Sequence, residues 1–223
     1  METDFWLERW QRNEIGFHKD KANPALVNHW HTMPVDIGSR VFVPLCGKTV
    51  DIIWILRAGY QVVAAELSEV ALDALADQIE GEFGLAVDKQ TVDGLILYRA
   101  AGILLIGGDF FKLTARDIGP VDVIYDRAAL IALPPEMRQD YARHLMAITH
   151  SAPQLLVTVD YDRDVMDGPP FAISTSEVND HYAASYQIDE MECREQINEE
   201  VRFRDRGLTS MMQTVHRLVA IKS

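Results

Sequence analysis

Short apolar runs with no polar alternation recur along this sequence, each ending at a turn signal and most followed by a helical pattern. They are Val41-Phe42-Val43-Pro44-Leu45, Gln61 to Leu67, Val121 to Tyr125 and Leu155 to Val159. A strand that is apolar on both faces must be covered on both, which a parallel sheet between two helical layers achieves. The segments between the runs keep helical spacing. Thr49 opens one with Asp51 in its first turn, and Ser68 caps another through Leu72, Leu75, Ile79 and Phe83. Pro134-Pro135 starts a third that turns Met137, Tyr141, Leu145 and Ile148 inward. The pattern predicts an α/β, doubly wound sheet. Two features break the alternation: a hairpin from Leu95 to Ile106 turning at Ala101-Gly102, and a tail of two β-like runs, Tyr186 to Ile197 and Ser210 to Ile221. With only the charged segment Glu199 to Gly207 between them, the tail runs predict an antiparallel finish.

The first 39 residues read as a cap (1–39) before an α/β core (40–223), together one domain over 1–223. Asp4 is placed to cap a short helix that carries Trp6 and Trp10 one turn apart. Lys and Arg number 21 against 34 Asp and Glu, a net charge of −13, which makes nucleic acid and anionic membrane surfaces poor partners. No stretch approaches the ~20 apolar residues of a membrane span. The acidic, aromatic start METDFWLERW is neither a secretory signal nor a transit peptide, so a cytoplasmic protein is expected. Cys46 and Cys193 form no disulfide framework and lack zinc spacing. Asp160, Asp162 and Asp164 begin like a calcium loop, but Val165 and Phe171 stand where glycine and glutamate are needed. His29 and His31 complete no ligand set, so no metal is expected. No Gly-x-Ser-x-Gly elbow supports a serine hydrolase.

In such sheets ligands bind beyond the carboxyl ends of the strands. That rule marks Leu45-Cys46-Gly47, Glu66, Gly108-Asp109, Asp126-Arg127 and Asp160-Tyr161-Asp162 as one rim. An acid ending the second strand, about 20 residues after a strand–glycine–helix turn, suits ribose hydroxyls; Glu66 is that acid, or else a solvated strand end. The turn holds only Gly47, too few glycines for a pyrophosphate, which disfavours NAD and FAD. Gly47-Lys48-Thr49 ends like a phosphate-binding loop, but Phe42 occupies the position of its first glycine. Asp109 could bond an adenine amino group beside Phe110, or the pair could be a turn followed by core aromatics.

Several segments, taken in order, resemble the thiopurine S-methyltransferase family, in particular its bacterial members. They are Phe5-Trp6-Leu7-Glu8-Arg9-Trp10, Gly16-Phe17-His18, Val43-Pro44-Leu45-Cys46-Gly47-Lys48, Ala65-Glu66-Leu67-Ser68, Gly108-Asp109-Phe110-Phe111, Tyr125 to Leu130, and Gly168-Pro169-Pro170-Phe171. The glycine-poor Pro-Leu-Cys-Gly-Lys segment is the most specific; the tail matches more weakly, chiefly through Arg202 and Gly207. The resemblance implies a class I, Rossmann-like methyltransferase with a mostly parallel seven-stranded sheet, an antiparallel C-terminal strand pair, and S-adenosyl-L-methionine as cofactor. It implies that Trp6, Trp10, Leu45, Gly47, Glu66, Asp109, Phe110 and Arg127 line the cofactor, with Glu66 on the ribose and Asp109 and Phe110 on the adenine. Phe17, Arg127, Pro170, Phe171 and Arg202 would face the acceptor, and Arg127 and Arg202 would favour its thiolate as the catalytic pair. Arg127 could instead pair with Asp126, and Arg204 or Arg206 could stand where Arg202 is aligned.

The implied reaction is in-line methyl transfer to an aromatic or heterocyclic thiol such as a thiopurine. A selenium or tellurium species (metalloid detoxification), another small soft nucleophile, or a catalytically silent cofactor-binding protein are the alternatives. The expected protein is a monomer whose partner is a small molecule.

Overall fold

The computed structural model describes residues 3–12, 14 and 19–221. Its strands are β1 (Arg40–Val43), β2 (Gln61–Glu66), β3 (Asp88–Val92), β4 (Leu95–Ala100), β5 (Ile103–Gly107), β6 (Val123–Arg127), β7 (Gln154–Asp160), β8 (Tyr186–Glu195) and β9 (Met212–Ala220). The helices are α1 (Thr3–Gln11), α2 (Pro24–His29), α3 (Asp51–Arg57), α4 (Glu69–Phe83), α5 (Ala115–Ile118), α6 (Pro135–Thr149), α7 (Thr175–Tyr182) and α8 (Val201–Arg204). One sheet holds the nine strands in the order β3-β4-β5-β2-β1-β6-β7-β9-β8. The run β5-β2-β1-β6-β7 is parallel, and β9 pairs antiparallel with both β7 and β8. These seven strands are the expected sheet with its antiparallel finish. The hairpin β3–β4 extends it beyond β5.

Alternate residues of the buried strands enter two different cores, as the pleat requires. Val41 and Val43 pack with Leu26, Ile52, Ile55 and Leu75 on one face. Phe42 packs with Tyr141, Leu145 and Ile148 on the other. This is why the runs read as apolar throughout. From β1 the chain works outward through β2 and β5, then crosses back to lay β6 on the other side of β1. The reversal opens a crevice past the carboxyl end of β1, and the ends of β2, β5 and β6 border it.

The structure corrects several boundaries. Asp4 falls inside α1, not before it. The strand expected at Val121 to Tyr125 runs from Val123 to Arg127, which brings Arg127 onto the sheet end. β3 went unforeseen because all five of its residues are exposed, leaving no apolar pattern. Its Lys89 is held by Glu69 and Asp73 on α4. α7 was also missed, although Ser174 and Glu177 stand at capping spacing and Ser174 Oγ accepts from the Glu177 N–H at 3.2 Å.

His216 on β9 is fully buried, and burial pulls its imidazole down to about 4 from 6.5. The unfolded chain therefore takes up a proton that the fold refuses as pH falls from 6.5 toward 4. Stability present above pH 6.5 is lost across that window, by roughly 2–5 kcal/mol. His216→Gln should flatten this acid slope in urea titrations at a series of pH values; an unchanged slope would assign it to other groups.

Candidate active site

A cavity of about 640 Å³ occupies the crevice, walled by the ends of β1, β2, β5 and β6, by α1 and residues 19–24, and by the segment around α8. Of the expected rim, Asp126 is buried behind the wall and Asp160-Tyr161-Asp162 lie elsewhere. The last three border a separate cavity of about 220 Å³ with Leu208 and Met212, because β9 runs beside β7 as far as Asp160.

Glu66 ends β2 with only 8% of its surface exposed, so the solvated alternative does not apply. Its two oxygens each accept one backbone N–H at 2.8 Å, from Gly47 and from Ser68. A carboxylate has about four lone-pair sites, so acceptor capacity remains for a ligand in the cavity. Burial raises its carboxyl above the ordinary value, while the N–H donors of Ser68, Gly47 and Leu67 pull it back down. The Cys46 thiol beside it donates to the Gly47 carbonyl, and burial together with Glu66 pushes it well upward.

Gly47 has φ +53°, and a methyl group there would lie 2.9 Å from the Trp10 ring. The loop after β1 thus needs glycine twice over, for its backbone and for the close approach of α1. Leu45 also takes a positive φ of 45° at the cavity wall. Gly47→Ala is expected to cost about 1–3 kcal/mol and to loosen α1. Combining it with Trp10→Leu should recover part of that cost. Strict additivity in a double-mutant cycle would show that the two groups do not meet.

Asp109 lines the cavity while its Oδ1 accepts from the Phe111 N–H at 3.1 Å, capping a short turn. Phe110 both lines the cavity and packs on Tyr141, at 5.0 Å between ring centres. The turn-and-core reading of this pair holds, and both residues also reach the cavity. Trp6, Trp10, Leu45, Gly47, Glu66 and Arg127 all line the same space.

Arg127 does not pair with Asp126. The Asp126 carboxylate is fully buried and accepts from Tyr141 Oη at 2.8 Å and from the Leu130 N–H at 3.2 Å. Burial raises it to about 6. Arg127 forms no ion pair or hydrogen bond among the described residues and lines the cavity half-buried. Arg202 lines it too, whereas Arg204 and Arg206 do not. Its Nε lies 3.7 Å from Glu200, and its guanidinium sits over the Phe203 ring. Burial lowers its pKa; Glu200 opposes this, and the nearby positive charges of Arg127 and Arg206 add to it.

Pro169 and Pro170 reach the cavity, but Phe171 does not line it. The Phe171 ring lies against buried Arg138 at 5.5 Å, and its N–H donates to the Ile131 carbonyl. Phe17, with Gly16 and His18, lies outside the described residues.

Sequence reasoning missed the way residues 19–23 are fastened. Asp51, 1% exposed, accepts from the Asn23 N–H at 2.7 Å and from Tyr125 Oη at 2.9 Å. It thereby joins the segment before α2, the start of α3 and the strand that carries Arg127. Lys19 Nζ meets Glu200 at 2.7 Å, tying the segment before α2 to the α8 segment. A first-turn acid on α3 was legible as a partner for the helix dipole, but its distant partners were not.

The sequence profile of the family described as thiopurine S-methyltransferase (TPMT) matches residues 1–220. The chain belongs to that family. The thiopurine S-methyltransferase of Pseudomonas paraeruginosa is 44% identical over 219 residues, covering 98% of this chain and 99% of the relative. Two solved structures agree in fold. A S-adenosylmethionine-dependent methyltransferase of Anabaena variabilis has a TM-score of 0.66 at 11% identity, covering 98% of this chain and 95% of the other. The 1,6-didemethyltoxoflavin-N1-methyltransferase of Burkholderia thailandensis, described with bound S-adenosylhomocysteine, has a TM-score of 0.62 at 15% identity, covering 97% and 87%. This thiopurine S-methyltransferase family member is a methyltransferase of class I fold that uses S-adenosylmethionine. The site fits that cofactor: a buried carboxylate with acceptor capacity to spare lines the cavity, with an aromatic wall at Phe110. No helix among the described residues is long and apolar enough to cross a membrane.

Proposed function

We propose that the enzyme methylates the sulfur of aromatic or heterocyclic thiols, thiopurines among them. S-adenosylmethionine supplies an activated methyl group, which the acceptor sulfur takes in line. The observation that carries this reading is Arg127, a cavity arginine with no acidic partner among the described residues, on the strand next to β1. Its charge favours a thiolate over a thiol, so the acceptor proton goes to solvent and no protein base is required. Trp6, Trp10 and Phe110 keep water from the reacting atoms. Glu66 holds the ribose, and Asp109 with Phe110 holds the adenine. Arg202 and Pro170 bound the acceptor end.

The test is a screen with methyl-labelled cofactor against thiopurines, thiophenols, selenols, tellurite and phenols of matched size. Turnover confined to thiols supports the reading. Turnover only with selenium or tellurium species, or none beside intact binding of the cofactor product, would overturn it.

In the same reading residues 1–39 act as a cap on a single, monomeric domain. Hydrogen exchange over residues 5–12 and 19–24 is expected to slow at least severalfold when cofactor product and thiol bind together. Equal exchange with and without ligand would make α1 part of the static core.

A further inference from the structure

We propose that the natural acceptor carries a fixed carboxylate in addition to the sulfur that is methylated, a proposal that rests on the thiol-methylation reading above. The molecule as a whole has a net charge of −13, yet its cavity reverses the sign. Seven Lys and Arg side chains line it against five carboxylates. The carboxylates are largely committed. Glu66 is held by backbone N–H groups, and Asp109 by a backbone N–H and Lys112; Glu14 alone is exposed and forms no ion pair among the described residues. Glu199 pairs with Arg194 at 2.8 Å, and Glu200 with Lys19 at 2.7 Å and with Arg202 at 3.7 Å.

Those pairs leave Arg9, Lys21, Lys48 and Arg127 with no carboxylate partner among the described residues. Lys48 belongs to the loop after β1. The other three come from three separate walls: α1, the segment before α2, and the end of β6. The amino and carboxylate groups of the bound cofactor cancel, and its sulfonium adds one more positive charge to the space. Like charges gathered around one cavity repel, and an anionic ligand relieves that repulsion. A thiolate is one atom and answers one wall, that of Arg127. Arg9 and Lys21 on the cap then answer a second anionic group. A planar guanidinium and an ammonium are suited to a carboxylate.

The experiment compares 4-mercaptobenzoate with 4-mercaptobenzamide, with the thiol pKa of each measured so that rates refer to equal thiolate. The carboxylate should show kcat/KM about tenfold higher or more, and the advantage should shrink as salt rises from 0.05 to 0.5 M. Arg9→Gln and Lys21→Gln should each move the ratio of the two substrates toward one. A ratio of one in the unaltered enzyme, or a preference for the amide, overturns the proposal. If neither thiol is methylated, the thiol reading fails on its own, and calorimetry of benzoate and benzamide on the complex with S-adenosylhomocysteine decides the charge question. Tighter benzoate then upholds the anionic acceptor, and equal affinities remove it.

Discussion

Arg127→Ala is expected to lower kcat and kcat/KM for a thiol together by about a hundredfold, the scale seen when a preorganised charge at the reacting atoms is removed. The side chain stands at the cavity end of β6 and is not engaged by Asp126, whose oxygens are taken by Tyr141 and the Leu130 N–H. Its removal therefore breaks no ion pair of the fold, and the melting temperature should move little. Arg127→Lys keeps the charge but loses the planar fork, so an intermediate loss is expected. In both variants the pH–rate profile should shift upward, because the thiolate loses its stabilising charge. If alanine instead lowers the melting temperature while the rate per folded molecule and its pH profile stay normal, Arg127 serves the fold alone.

Glu66→Ala should weaken binding of S-adenosylhomocysteine roughly ten- to a hundredfold, equivalent to ~1–3 kcal/mol for ribose hydroxyls left unpaired. Glu66→Gln is expected to do no better, despite matching size. The N–H groups of Gly47 and Ser68 both point at the carboxylate, so an amide must turn its own N–H₂ against one of them. Burial raises the Glu66 carboxyl above its ordinary value. Cofactor affinity should therefore fall as pH drops into that raised range, where protonation removes an acceptor, and the glutamine variant should lose this dependence. Calorimetry of the product complex checks all three statements, and full affinity in a folded glutamine variant would falsify the ribose assignment.

The parallel centre of the sheet was readable because strands buried on both faces carry apolar side chains at every position, as Phe42 beside Val41 and Val43 does. β3 was not readable, since it is held by backbone pairing and by Lys89 at the sheet edge, and neither leaves an apolar trace. On the site, Glu66 and Gly47 follow from their place at strand ends. Arg127 and Arg202 needed a family resemblance, because an arginine in a rim looks the same in sequence as one on a surface. Phe171 shows the limit of that transfer: its neighbour Pro170 reaches the cavity while its own ring turns to Arg138. The contacts Asn23–Asp51 and Lys19–Glu200 join residues 28 and 181 positions apart, and no local pattern announces them.

The position of β9 has a consequence for how the protein is made. β8 is synthesised before β9 but pairs only with it, while β9 lies between β8 and β7. Until Met212–Ala220 leaves the ribosome, β7 has one bare edge and β8 has no neighbour at all. The sheet is therefore finished last at its C-terminal end, and a chain interrupted before Met212 loses two strands rather than one. Such a fragment would expose the β7 edge and the core side chains that Leu218 and Val215 cover in the full chain to other nascent chains. Premature termination in these last residues should thus yield an aggregating product, not a merely less active enzyme.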